Sequence, residues 1–234
     1  MKNIATALGL FTELKFFRKR VSDDNIDNCK YTLCFFPLAG LILGAILSIW
    51  CFLAEGTPLV IIEGMVSAVV VAIFFGNVHF NAIHNAIGKS LGTIVYILAV
   101  FVLFISLEFK EMLAATAVLI LSRALAIVMF YDSEKLVSGL YTRLFKASQR
   151  IVVTIITVVW IMFAVALLQM ASLLTFAVVF VTLVIFYLIY SAVLKKAPSL
   201  VDYDVDIFIV VLEGILLLEI NACKFAHVLS KFLG

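Results

Sequence analysis

Apolar residues in this chain run on for about twenty positions at a time, with short polar stretches between them. The runs are Leu33–Leu53, Leu59–Val78, Leu91–Leu107, Met112–Tyr131, Ile151–Leu168, Leu173–Leu194 and Ile207–Cys223. Each is near the ~20 residues that a helix needs to cross hydrocarbon. An open strand in lipid would leave its backbone groups unpaired, so all seven are predicted to be helices. The expectation is an all-α, polytopic transmembrane bundle of six or seven spans. Residues 1–32 form an N-terminal amphipathic or cytoplasmic segment, and 33–234 one transmembrane helical domain with short connections.

Composition strengthens that picture. Hydrophobic residues make up 65% of the 234 and charged ones 14%, with a mean hydropathy of +1.22. Soluble domains are roughly half apolar and a quarter charged. A net charge of only +2 gives no reason to expect nucleic acid. The four cysteines (Cys29, Cys34, Cys51, Cys223) show neither metal spacing nor a disulfide framework. Residues 1–32 carry polar and charged residues throughout rather than a basic start and an apolar core, so no cleavable signal peptide is expected.

Charge also sets orientation, because cytoplasmic loops collect Lys and Arg. With the N-terminus inside, thirteen of the 17 cations fall on that side: six before residue 32, then Lys89, four from Lys135 to Arg150, and Lys195 with Lys196. Lys110, Lys224 and Lys231 fall on the other side, and Arg123 lies within a span. Seven spans put the C-terminus outside; six return it inside. Ile4, Leu8, Phe11 and Leu14 recur at helical spacing ahead of a basic run from Lys15 to Arg20. That pattern suits a helix in the membrane plane or a plain cytoplasmic cap.

Three polar loops share the inner face: 79–90, 132–150 and 195–206. In the first, Asn81 and Asn85 are four apart and share a helix face with amides suited to a polar ligand; a solvated interfacial turn is the plainer account. Gly88-Lys89-Ser90 lacks the glycines and strand of a nucleotide loop and is not read as one. Arg123 is costly within a span and needs a partner. Glu63 and Glu213 are the acids at suitable depth, and Glu213 is preferred. Asp202, Asp204 and Asp206 would point one way in an extended chain. They would then repel unless a cation such as Mg²⁺ lay between them; otherwise they cap the last helix, where acids favour the dipole. Glu213 falls two helical turns after Asp206. Tyr141 and Arg143, with Lys146 and Arg150 behind, could grip phosphate, although the positive-inside bias alone accounts for the last two.

In order and spacing these landmarks resemble the cobalamin synthase family (adenosylcobinamide-GDP ribazoletransferase). Ala7-Leu8-Gly9-Leu10-Phe11-Thr12-Glu13 is similar to its opening Ala-Leu-x-Phe-Leu-Thr-Arg. The run from Phe35-Phe36-Pro37-Leu38-Ala39-Gly40 to Gly44 is similar to its first-span motif. Gly76-Asn77-Val78-His79-Phe80-Asn81 falls where the family has Gly-Gly-x-His-x-Asp, and Ser90-Leu91-Gly92-Thr93 fits the end of the segment that follows. Ser122-Arg123-Ala124, then Gly139 and Phe145, fit its Ser-Arg span and loop. Asp206 and Glu213 fit its last motif.

The resemblance implies an enzyme that joins α-ribazole, or its 5′-phosphate, to adenosylcobinamide-GDP and releases GMP, with Mg²⁺ as cofactor. It places the enzyme in the cell membrane with its active face toward the cytoplasm. It implies catalytic roles for His79, Arg123, Asp206 and Glu213, substrate contacts from Asn81, Asn85, Ser90, Tyr141 and Arg143, and metal contacts from Asp206 and Glu213. Asp202 and Asp204 could compensate for lost metal ligands. Membrane lipid is the expected surrounding, and a homo-oligomer is compatible with the sequence. The departures are specific: Asn81 and Asn85 stand at aspartate positions, Val205 replaces a glycine, and Leu216 replaces a second glutamate. These departures weaken the metal site and make a catalytically impaired, non-enzymatic membrane binding or scaffold protein the alternative.

Overall fold

A computed structural model describes residues 2–11, 30–54, 60–104, 107–131, 136–196 and 199–233. The elements in chain order are α1 (Lys2–Phe11), a 3₁₀ turn (Thr32–Phe35), α2 (Phe36–Ala54), α3 (Val60–Ile87), α4 (Lys89–Phe104), α5 (Phe109–Phe130), β1 (Leu136–Ser138), α6 (Leu140–Ala147), α7 (Arg150–Ala171), α8 (Leu173–Lys196), β2 (Leu200–Val201) and α9 (Asp202–Leu233). Each of the seven apolar runs is built on a helix over its described residues. The 3₁₀ turn with α2, and α5, α7 and α8, are long and apolar enough to cross a membrane. The fold is an all-α membrane helix bundle with one two-stranded patch.

α7 and α8 are rich in Val, Ile, Phe and Tyr, residues that elsewhere favour strands. In an apolar solvent only a helix closes every backbone hydrogen bond within the segment, and that requirement overrides propensity. Both helices sit at the rim. Ile151, Met162, Leu173 and Leu188 are exposed, and only 11% of the apolar window of α8 is inside the protein, against 78% for α5. α8 ends on Lys195 and Lys196, where cations suit the helix dipole.

α5 is the central helix and packs on α2, α7 and α9. Lipid tails are as apolar as leucine, so association here depends on close packing rather than on burial from water. Ala114, Ala115, Ala117, Ala124 and Ala126 provide it from α5 and are buried. Gly40 and Gly44 provide it from α2, four residues apart as in small-xxx-small packing. A Cβ on Gly40 would lie 2.3 Å from the backbone oxygen of Leu119, and one on Gly44 would lie 2.4 Å from the Thr116 side chain. Ser48 Oγ is hydrogen-bonded to Thr116 Oγ1 at 3.3 Å on the same seam.

Two of the three expected loops are largely helical, and the third contains a short helix. α3 continues through His79 and Asn85 to Ile87 because nothing before Gly88 breaks it. Gly88, at φ +87, then ends the helix in the left-handed conformation that a residue without a Cβ adopts freely. α9 begins at Asp202, so the acids occupy its first turns and are not extended. Residues two apart on a helix diverge by about 200°, so Asp204 and Asp206 do not point one way; the side chain of Asp202 lies outside the described residues. The middle loop contains α6, and β1 pairs in parallel with β2, tying that loop to the entry of α9.

α1 does not lie apart from the bundle. Thr6, Ala7, Leu8, Leu10 and Phe11 are buried, and the Phe11 ring meets Phe36 edge-on at 4.8 Å. The basic run from Lys15 to Arg20 lies outside the described residues. At the opposite end Lys224 meets Glu108 at 3.0 Å, joining two ends that the charge count put together. Cys34, Cys51 and Cys223 are free thiols.

Candidate functional site

Arg123 is wholly buried, so its charge must be balanced inside the bundle. Glu213 of α9 balances it: Nη1 of Arg123 donates to Oε1 of Glu213 in a short ion pair. The same nitrogen donates to the backbone oxygen of Leu119 at 2.7 Å and is 3.1 Å from Ser122 Oγ. Ser122 Oγ also donates to Glu213 Oε1 at 2.6 Å. The other carboxylate oxygen, Oε2, lies 2.8 Å from His79 Nε2. On its far side the imidazole Nδ1 lies 2.8 Å from the Tyr96 hydroxyl. Above the guanidinium, Phe11 of α1 supplies an aromatic face 5.2 Å from its carbon, within cation–π range.

One carboxylate therefore draws donors from α3 and α5, and the chain of contacts extends to α4 and α1. Charges in a low-dielectric interior persist only when paired and hydrogen-bonded, and the five-helix convergence provides that. A cavity of about 110 Å³ adjoins the cluster, lined by His79, Tyr96, Glu213 and Gly214 at its polar end and by Leu103, Phe104 and other apolar side chains beyond.

Asp206 forms a second layer. It is buried and lies seven residues before Glu213 on the same face of α9, about 10 Å along the axis. Tyr141 of α6 donates to its Oδ1 at 2.9 Å, a contact that the β1–β2 pairing makes available. Tyr141→Phe is expected to lower stability by about 1.5 kcal/mol, the worth of a hydrogen bond to a charged acceptor. Thermal unfolding in detergent reads this; an unchanged midpoint would show that α9 holds Asp206 without the tyrosine.

The sequence reading thus names three residues that meet directly, His79, Arg123 and Glu213, and a fourth, Asp206, that stands apart with Tyr141. Arg143 is half-buried near Tyr141, and Asn85, Lys146 and Arg150 are exposed. The side chains of Asn81, Ser90, Asp202 and Glu63 lie outside the described residues. Tyr96, Ser122 as a donor, and Phe11 are additions of the structure. Tyr96 carried a signal that went unused: a tyrosine in the middle of an apolar run needs a partner for its hydroxyl.

A divalent cation needs several free oxygen ligands. Both oxygens of Glu213 already receive donors, and Asp204 and Asp206 leave α9 on different sides. Among the described residues no group of three or more His, Cys, Asp or Glu gathers. The described donors therefore do not fit a Mg²⁺ cradle, and Glu213 in particular serves the protein's own cations.

No curated protein and no solved structure matches the chain. A family model does: that of cobalamin-5-phosphate synthase matches residues 3–84, which take in α1, α2 and α3 as far as His79 and His84. Over that stretch, about the first third of the chain, the sequence is similar to the cobalamin-5-phosphate synthase family.

Proposed function

We propose that the protein is a multi-pass enzyme of the cell membrane that joins α-ribazole, or its 5′-phosphate, to adenosylcobinamide-GDP. In that reaction the ribazole oxygen bonds to the phosphorus carried by cobinamide, and the bond to GMP breaks. Phosphoryl transfer depends chiefly on positioning and on neutralising charge. The reading rests above all on one observation: His79 of the family-matched segment is bound to Glu213 of the last helix, which also holds Arg123. Substrates would enter from the cytoplasmic face, where Arg143 and Lys146 would meet phosphate. Asp206 and Tyr141 would order the entrance above the buried cluster.

The experiment is an assay of the protein in detergent with adenosylcobinamide-GDP, α-ribazole and Mg²⁺. GMP release is expected, falling at least about tenfold in His79→Ala. Release that does not exceed the His79→Ala background would overturn the enzymatic reading. Asn81 and Asn85 at aspartate positions, with both oxygens of Glu213 already engaged, favour a second reading in that event: a relative that binds a corrinoid without converting it. Saturable binding of adenosylcobinamide-GDP with no GMP release would identify it.

A further inference from the structure

We propose that Tyr96 is a positioning residue for this site, one that donates to the far nitrogen of His79 and so holds the imidazole in the tautomer and orientation that Glu213 requires. The inference rests on the transferase reading for its catalytic consequence, but its geometry stands independently. Tyr96 is buried, at 3% exposure, in the middle of α4. Its ring meets His79 edge-on with centroids 5.2 Å apart and is itself held edge-on by Phe80 at 4.9 Å. Among the described residues its hydroxyl has one hydrogen-bond partner, Nδ1 of His79 at 2.8 Å.

The proton assignment follows from what each group can do. A carboxylate only accepts, so Nε2 must donate to Glu213 Oε2. A buried hydroxyl must place its own proton on an acceptor. The acceptor within reach is Nδ1, which is therefore bare. His79 is thereby committed to the Nε2–H tautomer, because the bond made at one ring nitrogen sets the state of the other. This matters for Glu213: its Oε2 keeps a donor while Oε1 serves Arg123 and Ser122. Without Tyr96 the carboxylate still requires Nε2–H, but Nδ1 loses its donor and the ring loses the contact that holds its far side.

The test is Tyr96→Phe, which keeps the ring and removes the hydroxyl. The chain has three histidines, so ¹⁵N-histidine labelling in detergent gives a tractable spectrum, with His79→Gln to assign the signals. In the parent protein His79 is expected to show one protonated ring nitrogen, Nε2, and a bare, hydrogen-bonded Nδ1. In Tyr96→Phe the Nδ1 signal is expected to shift as it loses its hydrogen bond, with Nε2 still protonated, while unfolding stays cooperative. GMP release is expected to fall about tenfold, roughly one hydrogen bond's worth, in kcat more than in KM. His79 signals unchanged by Tyr96→Phe, or a protonated Nδ1 in the parent, would overturn the proposal. The spectrum reads the tautomer whether or not GMP is released, so failure of the transferase reading is seen separately.

Discussion

Glu213→Leu should be the most damaging single change at the cluster, lowering stability by about 3–5 kcal/mol. The cost comes less from the lost attraction than from what is left behind. Arg123 has no exposed surface, and an ion whose partner is removed stays buried without compensation. His79 Nε2 and Ser122 Oγ lose their acceptor at the same time. Removing both ions should cost less: Arg123→Met with Glu213→Leu replaces the pair by apolar groups, and such exchanges are often close to neutral. The double variant is therefore expected to recover more than half of the loss. Thermal unfolding in detergent of the parent, both single variants and the double variant gives the coupling directly. Additive losses would show that the two charges do not compensate each other.

Gly40→Leu should rank second, and it reaches the same cluster from outside. The atoms that a Cβ would strike are Leu119 O and C and Ile120 N, at 2.3, 2.6 and 2.9 Å, all backbone. No rotamer change can clear them, so α2 and α5 must separate. Overpacking typically costs about 1–3 kcal/mol, and an unyielding neighbour puts this case near the top of that range. The oxygen in the way accepts from Arg123 Nη1 at 2.7 Å and lies 3.2 Å from Ser122 Oγ. A shift of Leu119 therefore moves the site as well as the seam, and on the proposed transferase reading GMP release should fall along with the unfolding midpoint. Gly44→Ala is the comparison. Its new methyl meets Thr116 at Cγ2, Oγ1 and Cβ; Cβ does not move with the rotamer, so the helices must part here as well, and a smaller loss is expected because one methyl is added rather than a leucine side chain. Equal losses at the two positions would show that the size of the added side chain does not set the cost.

The cluster suits both a catalytic and a structural role, and the two are not exclusive. A buried ion pair is weak grounds for stability in itself, since well-packed apolar residues can do as well. Its specific effect here is to align elements that are otherwise apolar and able to slide. One carboxylate fixes α9 against α3 and α5, the His79–Tyr96 contact adds α4, and Phe11 brings α1 over the guanidinium. Register among apolar helices is poorly specified by packing alone, and a single polar contact set can define it.

How much of this was legible in the sequence varies by element. The apolar runs fixed all seven helices, because lipid leaves the backbone no other way to satisfy itself. The cost of a buried cation pointed from Arg123 to Glu213 before any coordinates. What failed was the extent of the polar segments. His79 to Asn85 was expected to be loop, yet polar side chains do not end a helix; Gly88 does. The acids from Asp202 to Asp206 were expected to converge, but a helix with a period of 3.6 spreads residues that a strand would align.

By itself, then, the sequence determined the solvent, the helices and the need for a counter-charge, since each follows from composition and local backbone physics. Only the tertiary structure decided which residues meet. His79 and Glu213 are 134 positions apart, and nothing local records that distance. Their meeting depends on how closely Gly40 lets α2 approach α5 and on where α9 enters beside β1. Such proximities are properties of packing, which a linear pattern constrains but does not contain.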